Sequence, residues 1–190
     1  SQIVQICAWT PEHTENELFR SFDTSQFACN DGIRVIGINI GIGQAQYLVG
    51  NGLTTALRIY IDENGGEPDS EMVLLDEKTF TVTNSMAGTI QGIALNQPAL
   101  IPYGAQLVVG FWVADSGGPG TGNVLRPGGN QAGETSDTWL LAPECGIYYR
   151  TLADIGLQEQ PLLTVIIDDQ GPGQSGDECD SAIPATLGLN

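Results

Sequence analysis

The sequence predicts an all-β protein: an antiparallel β-sandwich, jelly-roll-like, with a C-terminal extension strand. Three observations lead there. Apolar residues recur at every second position in several segments, which is the period of a strand with one buried face. Gly, Pro, Asn and Asp clusters separate those segments at short intervals. The composition holds 25 Gly and 10 Pro but only one Lys and two Met, which starves helices of their usual formers.

The elements follow in chain order. Arg34 to Ile42 places Ile36, Ile38, Ile40 and Ile42 on one face, with Gly37, Asn39 and Gly41 on the other. Leu53 to Ile61 turns Leu57, Ile59 and Ile61 inward. Met72 to Leu75 is continuously apolar, and Phe80 and Val82 then alternate with Thr79, Thr81 and Thr83. Thr89 to Leu95 is a short strand. Leu107 to Ala114 is apolar on both faces and reads as a central strand, which makes Trp112 a core residue. Trp139 to Ala142 and Leu162 to Ile167 complete eight or nine strands, joined by turns such as Asn51-Gly52 and Pro102-Tyr103-Gly104. Helix is limited to a turn near Thr151 to Ile155. Short strands at this spacing make a sandwich.

Length and charge bound the function. A chain of 190 residues is one domain, or one domain with a tail. The division expected is 1–169 for the sandwich and 170–190 for a Gly/Pro-rich spacer plus a C-terminal strand. A net charge of −17 excludes a nucleic-acid binder, which needs a basic face, and opposes docking on anionic lipid. The 41% hydrophobic content fills a core, yet no apolar run is long enough for membrane insertion. Four Cys form no C-x-x-C pair, and the single His offers no zinc spacing. Two disulfides, with three connectivities open, point to an oxidising extracellular or cell-surface setting. The Ser1-Gln2-Ile3-Val4 start is that expected of a processed mature chain, and no Asn-x-Ser/Thr sequon occurs.

A set of motifs resembles a known family. His13-Thr14-Glu15-Asn16-Glu17-Leu18-Phe19-Arg20-Ser21-Phe22-Asp23 follows Cys7. Gly122-Asn123 and Asn130-Gln131-Ala132-Gly133-Glu134-Thr135 come much later. Trp139-Leu140-Leu141-Ala142-Pro143-Glu144-Cys145-Gly146-Ile147 and Ala153-Asp154-Ile155-Gly156-Leu157 close the pattern. Together these resemble an accessory β-sandwich module of large secreted proteins of marine Bacteroidetes and Planctomycetes, over roughly residues 3 to 168. The resemblance implies a secreted, non-catalytic sandwich and no particular ligand. It also implies the pairing of Cys7 with Cys145. Cys29 and Cys179 then remain, bonded to each other or, for Cys179, to a neighbouring chain.

Candidate sites can be read residue by residue. His13, the one His, matches a motif position and reads as orienting the loop before the Arg20 strand, not as a catalytic base. Arg20 reads as one half of a buried ion pair. Lys78, the one Lys, lies in Asp76-Glu77-Lys78, which reads as a solvated hairpin edge rather than a cross-linking site. No catalytic residue is assigned, although carboxylate pairs of the glycosidase kind remain an alternative in so acidic a chain. The hairpin Asp62-Glu63-Asn64-Gly65-Gly66-Glu67-Pro68-Asp69 offers Asp62, Asn64 and Asp69 as calcium ligands, since calcium takes six to eight oxygens. No other cofactor is expected. Trp9, Trp112, Trp139 and the Tyr148-Tyr149 loop are the aromatics a glycan platform would use.

The tail carries the sharpest expectation. After a spacer of Gly, Pro, Gln and Ser, Ile183, Ala185, Leu187 and Leu189 recur at every second position. This is a strand with one apolar face, ready to insert into a neighbouring copy as an added strand. Ser181 in Asp180-Ser181-Ala182 is a candidate O-glycosylation acceptor. The expected function is a non-catalytic extracellular structural or adhesive module that assembles head-to-tail with copies of itself. The alternative is a carbohydrate-binding accessory module of a secreted hydrolase.

Overall fold

The computed structural model describes residues 2–4, 7, 12–26, 32–48, 50–63, 65, 67–69, 71–130, 137–157 and 160–168. These form twelve strands: β1 (Gln2–Ile3), β2 (Asn16–Asp23), β3 (Ile33–Gln46), β4 (Leu53–Asp62), β5 (Val73–Val82), β6 (Thr89–Ile101), β7 (Gln106–Val113), β8 (Val124–Asn130), β9 (Thr138–Ala142), β10 (Ile147–Thr151), β11 (Gln160–Pro161) and β12 (Leu163–Asp168). Among the described residues helix is confined to three single 3-10 turns. Two antiparallel six-stranded sheets face each other. One has the order β10-β9-β2-β7-β4-β5; in the other β6, β8 and β12 pair with β3, and β1 and β11 pair with β8. The all-β sandwich expected from the sequence is therefore the fold.

The pairing is nested. β4 pairs with β7, β3 with β8 and β2 with β9, while β5 lies beside β6 at the flank where the sheets meet. This is a long hairpin rolled over itself, as in a jelly roll. β7 pairs with β2 on one side and β4 on the other along its whole length. It is the central strand anticipated for Leu107 to Ala114, and Leu107 to Phe111 and Val113 are buried.

The core lies between the sheets. Val35, Ile38, Ile40 and Ile42 of β3 meet Leu57 and Ile59 of β4 and Leu107, Val109, Phe111 and Val113 of β7. The alternation expected in β3 breaks at its start, because β3 runs from Val35 to Gly37 while its partner β12 runs only from Ile167 to Ile166. One extra residue shifts the parity, so Val35 turns inward and Ile36 is left half-exposed.

Three further elements differ from the sequence reading. The segments around residues 72–75 and 79–83 are one strand, β5, which puts Asp76-Glu77-Lys78 mid-strand on the edge strand of the β4–β5 hairpin. Tyr148-Tyr149 belongs to β10 rather than to a loop. β8, with Pro127-Gly128-Gly129 inside it, is a strand that the sequence reading does not include. Its glycines let it cross close to β3: a Cβ on Gly128 would stand 3.2 Å from the Gly41 carbonyl carbon.

Cys7 and Cys145 form a disulfide with Cα atoms 6.1 Å apart. It ties the N-terminal segment to the 3-10 turn Pro143–Cys145 between β9 and β10, beside a small cluster of Val4, Leu18, Leu140, Ala142 and Leu152. Cys29 and Cys179, the other expected bridge, lie outside the described residues.

Candidate functional site

The opening motif builds a buried polar knot. Asn16 donates its amide to the Cys7 and Thr14 carbonyls and accepts the Cys7 N–H at 2.9 Å. Thr14 Oγ1 donates to Cys7 Sγ. His13 is fully buried. Its Nδ1 bonds the Thr14 carbonyl at 3.0 Å, and its Nε2 accepts the Leu125 N–H at 3.0 Å. The ring is therefore neutral with its proton on Nδ1, and burial pushes its pKa down. Ser116 Oγ and N–H both donate to the His13 carbonyl. Glu12 adds a carboxylate that accepts the Gly120 and Gly122 N–H groups, which lowers its pKa, Gly122 first. His13 thus holds the 116–125 loop against β2. Arg20 is buried, with its guanidinium 5.5 Å from the Phe22 ring centroid.

The richest cluster of ionisable and aromatic side chains lies on the face of β2, β7 and β4 turned away from the other sheet. The register brings Glu17 beside Trp112 and sets Arg58 across Gly110 from Phe19. Arg58 donates to Glu17 at 2.7 Å and to Glu77 at 2.7 Å. Tyr60 donates its hydroxyl to Glu17 Oε1 at 3.1 Å. The Arg58 guanidinium lies 5.2 Å from the Trp112 ring centroid, a cation–π contact. Trp112 Nε1 donates to Glu15 at 2.8 Å. Trp112 is accordingly a half-buried outer-face residue and not the core residue the sequence suggested. A Cβ at position 110 would collide with Glu17 Oε1, so glycine there makes room for the carboxylate.

The electrostatics follow from burial. Glu17 is only 5% exposed, and burial pushes its carboxyl up against the pull of Arg58 and two hydrogen bonds. Burial alone would lower Arg58, but the Glu17 charge and the Glu77 bond hold it above its ordinary value. Burial raises Tyr60 and Tyr149, with the Glu17 charge adding to both. Phe19, Val108 and Trp139 form an apolar floor beside this pair, flanked by Tyr60, Met72, Leu141 and Tyr149. Ser21 Oγ and Trp139 Nε1 are buried there without a hydrogen-bond partner. Tyr149, at φ 49, is the one non-glycine residue with positive φ among those described.

Sequence reasoning did not find Glu17, Arg58, Tyr60 or Glu77 as a group. Arg58, one of six basic residues at an outward position of a recognised strand, was the available signal.

Two of the calcium ligands expected in the acidic hairpin, Asp62 and Asp69, are described. Asp62 Oδ1 accepts the Gly65 N–H at 3.0 Å, and Asp69 Oδ1 accepts the Glu71 N–H at 2.6 Å. Each carboxylate accepts a backbone N–H of its own turn. Asn64 lies outside the described residues, and among those described no three His, Cys, Asp or Glu side chains converge as a metal site. Among the other aromatics, Tyr148 is 62% exposed and Trp9 lies outside the described residues. So do the whole spacer and tail, including Ser181, Ile183, Ala185, Leu187 and Leu189.

The flank from which the tail departs is described. β12 pairs with β3 from Leu163 to Asp168, and its other edge carries no strand from Leu163 onward among the described residues. Val165 and Ile167 stand opposite Ile38 and Val35, facing the core, yet remain half-exposed. No helix among the described residues is long and apolar enough to cross a membrane.

Compared with protein-family models and with curated proteins, the sequence matches none. The likeness to accessory modules of secreted proteins rests on the quoted motifs alone.

Proposed function

We propose that the chain is a non-catalytic, extracellular structural or adhesive module that assembles head-to-tail, with the tail strand of one copy completing the sheet of the next. The open flank at β12 carries this reading. Six strands lie abreast in one sheet, but among the described residues only β6, β3 and β12 lie abreast in this half of the other. The core-facing side chains of β12 are correspondingly undercovered. The tail leaves from the end of that same strand, and 190 − 168 = 22 residues follow it. Its apolar residues at every second position suit an added strand, whose backbone supplies affinity and register. Pro184 forfeits one ladder bond, which an edge tolerates. A tail passed from copy to copy does not close on itself and gives a filament.

The remaining features agree. The Cys7–Cys145 bridge suits an oxidising compartment. The −17 charge opposes casual association, so assembly through this contact strengthens with salt. The groups best suited to catalysis are otherwise engaged: His13 through both ring nitrogens, and Glu17 and Glu77 on Arg58.

Deleting residues 180–190 tests the reading. The shortened chain should keep its melting temperature and sediment as a monomer where the full chain assembles. A tail that docks on its own domain gives a lower melting temperature in a species that was monomeric throughout. A full-length chain that stays monomeric at high concentration and high salt refutes assembly.

A second reading, glycan binding, is favoured by one observation: Trp112, Tyr60 and Tyr149 share one face and are all partly exposed. Binding on a glycan array that Trp112→Ala abolishes would put this reading first.

A further inference from the structure

Chemistry that neither reading uses lies at the flank where β5 and β6 run side by side. No backbone ladder joins these two edge strands, and side chains bridge them instead. Lys78, the only lysine in the chain, sits mid-β5 and places Nζ 3.0 Å from Asn96 Oδ1 on β6. Asn96 is held from three directions. Its N–H donates to Asp76 Oδ2 at 3.0 Å. Its Nδ2 donates to Asp76 Oδ1 at 3.4 Å and to the Glu77 carbonyl at 2.7 Å. The carboxamide therefore presents its carbonyl end to a primary amine and its nitrogen end to a carboxylate.

A nucleophile and an acyl group are thus held together, and Asp76 fixes the leaving nitrogen. We propose that Lys78 and Asn96 form an intramolecular isopeptide bond, with Asp76 holding the carboxamide in place. Solvent takes a proton from the Lys78 ammonium, and the freed lone pair attacks Asn96 Cγ. The new C–N bond forms as the Cγ–Nδ2 bond breaks. Nδ2 leaves with its own two hydrogens, one proton from Nζ and one from solvent. One Lys ammonium and one Asn amide become one secondary amide and one ammonium ion, with no oxidant, metal or cofactor.

The surroundings set the rate. The charged groups about Lys78 are Asp76 and Glu77 on its own strand and Arg58 of β4, which is bound to Glu77. Asn96 is exposed, and Lys78 and Asp76 are half-buried. Only the free amine attacks, so closure accelerates in alkali. The bond would join the two sheets covalently where no ladder joins them, on the flank opposite β12. It does not depend on the assembly reading, because it is read from mass and not from size.

The test uses the purified full-length chain, held at neutral and at alkaline pH and measured by intact mass and by peptide mapping. The expected result is the loss of one ammonia and a branched peptide joining Lys78 to Asn96, faster in alkali and slower in Asp76→Asn. Lys78→Arg should lack the branched peptide, which separates it from ammonia lost by succinimide formation at Asn-Gly sites. Recovery of Lys78 only in linear peptides after alkaline incubation overturns the proposal, whatever the state of assembly.

Discussion

Acidification should weaken this protein through His13 before any ordinary carboxylate titrates. The ring is fully buried, and its Nε2 accepts the Leu125 N–H. A proton on Nε2 would set two donors against each other. Burial is the largest cause of the lowered pKa; the Thr14 carbonyl and Asp115 oppose it, and Arg126 adds to it. The sign follows from linkage. Below the ordinary value of 6.5 the unfolded chain takes up a proton that the folded chain refuses. Stability is present above 6.5 and is lost as pH falls toward the folded value, at about 1.4 kcal/mol per pH unit. Two effects run the other way on acidification: the raised Glu17 carboxyl, and relief of the −17 self-repulsion. His13→Gln shares both, so the difference between the two proteins isolates the ring. Urea unfolding in steps from about pH 7.5 to about pH 5.5 measures it. At neutral pH the variant should be less stable by about 1–3 kcal/mol, for the buried hydrogen bonds lost, and the gap should narrow as pH falls. Parallel stability curves across that range would refute a buried neutral His13.

Two further outcomes are expected. Arg58→Ala should destabilise the fold by about 3 kcal/mol in chemical denaturation, because it strands the Glu17 carboxylate in a buried position. Glu17→Gln in the same background should recover part of that loss, and no recovery would mean the pair is not coupled. Cys7→Ser with Cys145→Ser opens a bridge spanning 138 residues, worth about 5 kcal/mol by loop-closure entropy, so its melting temperature should fall steeply. An unchanged melting temperature would mean that the oxidised chain gains nothing from the link.

Much of the fold was legible because a strand advertises its buried face at every second residue. Ile38, Ile40 and Ile42, and Leu57, Ile59 and Ile61, point inward as their spacing requires. Leu107 to Val113 is central, as its two apolar faces require. The Cys7–Cys145 link followed from a motif likeness, and the structure shows why those residues belong together: Asn16 and Thr14 bond Cys7 directly. β8 stayed hidden because Pro127-Gly128-Gly129 carries the signature of a turn, while its glycines serve the close crossing with β3.

The sequence by itself determined the class of fold, the inward faces of the long strands and the composition of the surface. These depend on neighbours one or two residues away. Tertiary structure alone decided which outward faces meet. A single irregularity at Val35 to Gly37 turned Ile36 outward. Strand register set Glu17 within reach of Arg58, although 41 residues separate them, and drew Trp112 out of the core to lie against that pair. The packing of two sheet edges brought Lys78 to Asn96. Periodicity states which side of a strand is buried; it does not say which strand lies alongside or in what register, because that choice depends on pairing energy summed over the whole sheet.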